Sequence, residues 1–86
     1  MSQEQSDVNW ILVSLTSPKK KDLVFKRIKS DKQLPDLIRS EHSVYGEWLL
    51  LEVSDVQSVR ECLQKIDYIK KVERIKPEDA NRMLGI

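Results

Sequence analysis

VYGEWLLLEVSDVQSVRECLQKI, residues 44–66, is the stretch on which the reading of the chain turns. It opens with a turn at Tyr45-Gly46-Glu47 and enters a strongly apolar strand, Trp48 to Val53. At Ser54-Asp55 the pattern changes: apolar residues now fall at Val56, Val59, Leu63 and Ile66, the spacing of an amphipathic helix. Ser54 with Gln57 three residues later fits a capping box, in which side chains satisfy the first free N–H groups of a helix. A strand–helix unit is predicted, with the helix running from Asp55 to about Asp67.

Outward from this unit, the chain repeats the arrangement. Ile69 to Lys76 reads as a strand with Ile69, Val72 and Ile75 as its apolar residues, and Pro77-Glu78-Asp79 opens a last short helix with Met83 and Leu84 available to dock. On the N-terminal side, Met1–Asp7 is polar and reads as a frayed end. Val8 to Thr16 alternates as a strand, with Ile11, Val13 and Leu15 on one face and Trp10, Leu12, Ser14 and Thr16 on the other. Ser17-Pro18 has the form of a helix start, serine as cap and proline in the first turn. The helix it opens carries Leu23, Val24, Phe25 and Ile28 as its buried stripe. Pro35 marks a break. Leu37 to Tyr45 is the weakest strand, with Ile38, Ser40, His42 and Val44 alternating with polar neighbours, and Gly46 serves the hairpin turn. The order β-α-β-β-α-β predicts an α+β, ferredoxin-like domain over residues 8–86: a four-stranded antiparallel sheet, first and third strands central, two helices on one face and a short C-terminal helix.

Composition narrows the function. A chain of 86 residues buries roughly 60% of its unfolded surface, enough for one core but not for a separately built deep cleft. Charged residues make up 34% of the chain and nearly cancel, leaving +1, where a nucleic-acid coat protein is clearly basic. The single Cys62 cannot form an internal disulfide and points to a reducing compartment. Without an apolar run of ~20 residues or a signal-peptide core, the chain reads as soluble and cytoplasmic, with no membrane partner.

Catalytic chemistry is thinly represented. His42 is the only histidine, and a metal site needs several ligands converging on one point. Cys62 sits at a helix position far in sequence from it. Glu41, Glu47, Glu52 and Asp55 are the carboxylates available for acid–base work, and most alternate with basic residues as solvated surfaces do. Two glycines in the whole chain leave no phosphate-cradling loop. A binding module without metal or cofactor is the reading, rather than an enzyme. Between Lys19 and Lys32 seven residues are basic (Lys19, Lys20, Lys21, Lys26, Arg27, Lys29, Lys32) and two acidic (Asp22, Asp31), a net +5. Two readings stand: a patch that contacts phosphates weakly, for which Ser17-Pro18-Lys19-Lys20 resembles basic motifs lying along the DNA minor groove, or a solvated helix face.

The sheet is more informative. With the helices over Ile11, Val13, Leu15, Leu49, Leu51 and Val53, the other face carries Trp10, Leu12, Trp48 and Leu50. Aromatics on central strands can stack bases, as in RNA-recognition modules, but the neighbours here are Ser14 and Glu52 rather than basic residues. An apolar patch of this kind is rarely left in water, so a homodimer that pairs sheet against sheet through these four residues is the expected cover.

The run His42-Ser43-Val44-Tyr45-Gly46-Glu47-Trp48, then LLLEV, an acidic turn, VRECLQKI and Ile69-Lys70-Lys71-Val72, resembles the ligand-binding domain of Lrp/AsnC-type transcription regulators, also known as a stand-alone amino-acid-metabolism regulation (RAM) module. The resemblance covers Asn9 to Ile75. It implies a ferredoxin-like fold, a homo-oligomer (a dimer or higher), and an amino-acid-like effector near the hairpin, with Gly46, Glu47 and Trp48 as turn and rim residues. The sequence departs from the family at Leu49, where an aspartate is usual. EWLLLEVSDVQSVRECLQKIDYIKKV with the final Pro77-Glu78-Asp79 and Met83-Leu84 is similar also to the N-terminal domain of NusG-type elongation factors, which implies a monomer that grips RNA polymerase. Glu47 stands where that family has glycine, and no companion KOW domain follows; a ferredoxin-like adaptor of neither family, binding nucleic acid, is the third reading.

Overall fold

Strands β1 (Asn9–Leu15), β2 (Ile38–Val44), β3 (Trp48–Val53) and β4 (Ile69–Ile75) form one antiparallel sheet in the order β2-β3-β1-β4. The computed structural model describes residues 9–45 and 48–85. Met1–Asp7, Val8 and the residues Gly46 and Glu47 expected in the hairpin turn lie outside the described residues. A 3₁₀ turn (Pro18–Lys20) leads into helix α1 (Lys21–Ser30), and α2 (Leu34–Leu37), α3 (Val56–Leu63) and α4 (Pro77–Leu84) follow. The ferredoxin-like order is therefore present, with the first and third strands central.

Apolar alternation on the two central strands sets the core. Ile11 pairs with Leu51 and Val13 with Leu49, which puts Ile11, Val13, Leu15, Leu49, Leu51 and Val53 on one face. Val24 and Ile28 of α1, Leu34 of α2, and Val59 and Leu63 of α3 close over them, and nearly all of these side chains are fully buried. Fully burying a Leu, Ile or Val stabilises the fold by about 1.5–3 kcal/mol, so this layer dominates the energetics. The stripe expected on α1 is corrected at one place. Val24 and Ile28 are buried and Phe25 packs at the margin, but Leu23 is 41% exposed. The i, i+4 pair Val24 and Ile28 takes the centre of the contact, which turns Leu23 to the helix flank.

The link between β3 and α3 also differs from expectation. Ser54 is spent on the neighbouring segment: its N–H and hydroxyl both donate to the Leu37 carbonyl, at 3.0 and 3.3 Å. Asp55 is the cap instead, its carboxylate accepting from the Ser58 N–H (3.2 Å) and the Ser58 hydroxyl (2.9 Å). Those two bonds, the backbone one foremost, hold the Asp55 carboxyl below the usual carboxylate range. The α-helix ends at Leu63 rather than near Asp67. Bonds from Lys65 N to Cys62 O and from Ile66 N to Leu63 O tighten the last turn in 3₁₀ fashion, which still leaves Ile66 against the core. The break expected at Gln33–Asp36 contains the short α2. Asp31 accepts from the N–H groups of Gln33 (2.8 Å) and Leu34 (3.0 Å), and those bonds lower its carboxyl too. Leu34 is thereby seated in the core. At the first helix, Ser17 caps as expected by accepting from the Lys19 N–H (3.3 Å), but the opening turn is 3₁₀.

Two register shifts adjust the edge strands. On β4, Leu15 pairs with Ile69 and Ser14 with Lys71, so one extra residue is inserted. Ile69 and Val72 then share the helix-covered face, while Ile75, paired with Trp10, goes to the other. On β2 a shift between Ile38 and Ser40 sends Ile38 into the helix-side core and leaves Ser40, His42 and Val44 on the opposite face. Simple alternation had put all four together.

Leu51→Ala is expected to cost ~2–5 kcal/mol, because a fully buried side chain leaves a cavity beneath α1 and α3; chemical denaturation measures the loss. For the cap, Asp55→Ala is expected to lower the thermal midpoint near neutral pH. A carboxyl lowered in the folded state stabilises above its unfolded pKa of ~4 and loses that contribution as pH falls through the folded value. The gap between wild type and Asp55→Ala should therefore close as melts are repeated toward pH 2–3.

Candidate functional site

The sheet's second face is built by the same alternation that fills the first. Register places Trp10 and Leu12 of β1 beside Leu50 and Glu52 of β3, with Trp48 further along β3. Ser40, His42 and Val44 of β2 lie beyond them, paired with Glu52, Leu50 and Trp48. Helix α4 crosses this face. Pro77 sits in its first turn beside Glu78 and Asp79, whose charges suit the helix dipole, and Gly85 closes the other end at φ +80. Ala80, Met83 and Leu84 fall at i, i+3 and i+4, a stripe on one side of the helix. Ala80 is fully buried against Leu12 (6% exposed), Val44 (6%) and Leu50 (0%), with Trp10, Trp48, Ile75, Met83 and Leu84 packed around them. A single chain thus covers the middle of its own second face.

The two tryptophans frame this cover and remain half-buried. The Trp10 ring lies 6.1 Å from the His42 ring, tilted by 39°. His42 Nε2 is 3.1 Å from the Ser40 hydroxyl, which donates to Glu52 at 2.9 Å. Since the serine's one proton goes to Glu52, the Nε2–H of His42 donates to the serine oxygen. An activated nucleophile needs the reverse, an imidazole accepting from the hydroxyl, which is not the arrangement of these three side chains. At the other end Trp48 meets Tyr45 edge to face, centroids 5.5 Å apart. Tyr45 is 65% exposed and has φ +51. A shallow depression of about 340 Å³ beside Trp10 is lined by Asn9, Arg74, Ile75, Lys76 and Pro77.

The residues singled out in the sequence separate into groups. Trp10 and Trp48 are at the surface of the second face, and Leu12 and Leu50 lie beneath α4. Trp48 adjoins Tyr45, whereas Gly46 and Glu47 are outside the described residues. Cys62 packs at the first-face core, its thiol 3.4 Å from Gln33 Oε1, so the sheet stands between it and His42. Among the described residues no three His, Cys, Asp or Glu side chains gather where they could hold a metal ion, and no helix is long and apolar enough to cross a membrane. The basic residues diverge. Lys20 lies over the Tyr68 ring, 4.9 Å from its centroid, and Arg27 shares a small cleft with Tyr68. Lys21 donates to the Ser43 hydroxyl on the β2 side, and Lys26 and Lys29 flank Phe25 and Glu41 there. Lys19 is exposed at the helix start. No single track for a phosphate backbone results. Sequence reasoning missed Tyr68, which has φ +76, a conformation costing ~1–3 kcal/mol for a residue of this kind. Its carbonyl accepts from the Thr16 N–H at 2.8 Å. Met83 and Leu84 did signal a docked helix, though neither where it docks nor the buried Ala80.

No family model and no curated protein matches the chain by sequence. In three dimensions it is similar to AsnC of E. coli, with a TM-score of 0.53 at 15% identity over 87% of this chain and 57% of that one. The Lrp/AsnC-like architecture read from the sequence is present at the level of the fold, and this chain spans 57% of its neighbour's length.

A chain ending at Lys76 is expected to uncover Leu12, Val44 and Leu50. Binding of the dye ANS should rise and the thermal midpoint should fall; if α4 merely rests on the sheet, neither changes.

Proposed function

We propose that this chain is a non-catalytic regulatory module of the Lrp/AsnC type, serving transcription regulation and self-associating through the second face of its sheet. The observation that carries the reading is the pair of half-buried tryptophans, Trp10 and Trp48, flanking an apolar surface in a fold similar to that of AsnC. Contact through the tryptophans, with Met83 and Leu84 packed on the same cluster, replaces the simpler four-residue sheet contact, since Leu12 and Leu50 are already covered by α4. Each of these side chains is already partly covered, so its further burial contributes a fraction of the roughly 1.5–3 kcal/mol that full burial is worth, and a two-fold axis doubles each contribution. An amino-acid-like effector at the hairpin, held by Gly46, Glu47 and Trp48, is the finer form of this reading.

One observation favours the second reading, a NusG-like monomer that contacts RNA polymerase: α4 satisfies much of the second face within a single chain. Sedimentation equilibrium separates the two. The regulatory reading expects a dimer or larger assembly at tens of micromolar, a folded monomer for Trp48→Glu, and a shift in mass with at least one member of an amino-acid panel. A wild type that stays monomeric throughout, with or without amino acids, overturns it in favour of the monomeric module.

A further inference from the structure

The basic stretch that opens α1 has no part in the second face, and one flank of it forms a built cleft on the opposite side of the molecule. Lys20, Leu23 and Arg27 are spaced i, i+3 and i+7, which aligns them along one side of the helix. That side faces the α3–β4 link, where Tyr68 is held at φ +76. Between them lies a cleft of about 190 Å³ lined by Leu23, Val24, Arg27, Asp67 and Tyr68. Leu23 and Tyr68 are 41% and 39% exposed, two of three large apolar side chains open to solvent among the described residues. The Lys20 ammonium stands over the Tyr68 ring at the rim.

We propose that this cleft is a docking site for an acidic peptide segment carrying one large apolar side chain. Three features select that partner. The volume is below the ~300–1,000 Å³ of small-molecule pockets and suits one buried side chain. The floor is apolar while Arg27 lines the cleft and Lys20 stands over the Tyr68 ring, two cations against the single carboxylate of Asp67, so carboxylates flanking the apolar residue meet complementary charge. Asp67 restricts those carboxylates to the side of the two cations. Nucleic acid fits less well: Lys20 already occupies a face of the Tyr68 ring, and the remaining lysines diverge toward β2. The site is independent of self-association, because it lies on the helix-covered side of the sheet.

The test is NMR titration of the full chain, labelled with ¹⁵N, using a pentapeptide of one leucine between two pairs of aspartates. Expected are shifts centred on Leu23, Arg27 and Tyr68 that shrink as salt is raised. Replacing the peptide's leucine by alanine should weaken binding several-fold, as loss of a buried apolar anchor does. Leu23→Asp, a change at an exposed position whose folding the same spectrum verifies, should abolish the shifts, while Lys26→Glu on the other flank should leave them. Equal binding of the alanine peptide, unchanged binding by folded Leu23→Asp, or no shift at millimolar peptide overturns the proposal. So does a twelve-nucleotide single strand that shifts the same resonances more strongly than the peptide.

Discussion

The pairing of β1 with β3 governs everything else in this molecule. Trp48 to Val53 is apolar at every position but Glu52, and Asn9 to Leu15 is nearly so, hence the central pair is apolar on both faces. An amphipathic sheet can leave one side in water, but this one cannot. Two covers are needed, and the chain supplies them unequally. The first is the thick layer of α1, α2 and α3 with its fully buried aliphatic residues. The second is a single eight-residue helix that buries Ala80 and leaves both tryptophans half-covered.

That inequality links packing to function. Close-packed aliphatic layers have one arrangement and little reason to move. A short helix held by a narrow stripe contributes less and leaves apolar surface at its margins, which is where association surfaces are found. The polar cluster of His42, Ser40 and Glu52 lies on the same face. Its side chains are linked to one another by hydrogen bonds, and it adds a polar element beside the apolar area.

Edge strands and links show how local choices serve the central pair. An extra residue on β4 lets Ile69 and Val72 share the inner face and still delivers Ile75 to the outer one. The shift on β2 does the same for Ile38. Ser54 is drawn away from the helix it was expected to cap because the Leu37 carbonyl, at the end of α2, lies within reach of both its N–H and its hydroxyl. Asp55 then takes the cap, one residue later, with the same chemistry.

The switch from strand to helix period at Ser54-Asp55, the alternation in β1 and the proline-opened helices were legible in the chain alone, and together they set the ferredoxin-like order. They are local properties: a period of two or of 3.6 is written in consecutive residues. Which face Trp10, Leu12, Trp48 and Leu50 occupy was legible for the same reason. What covers them was not, because α4 reaches Leu12 and Leu50 across long stretches of sequence, and Met83 and Leu84 say only that it docks. The exposure of Leu23 and the setting of Tyr68 beside it were equally hidden. They depend on how far α1 is rotated against the sheet, and that rotation is fixed by the close packing of Val24 and Ile28 in a core shared with β1, β3, α2 and α3.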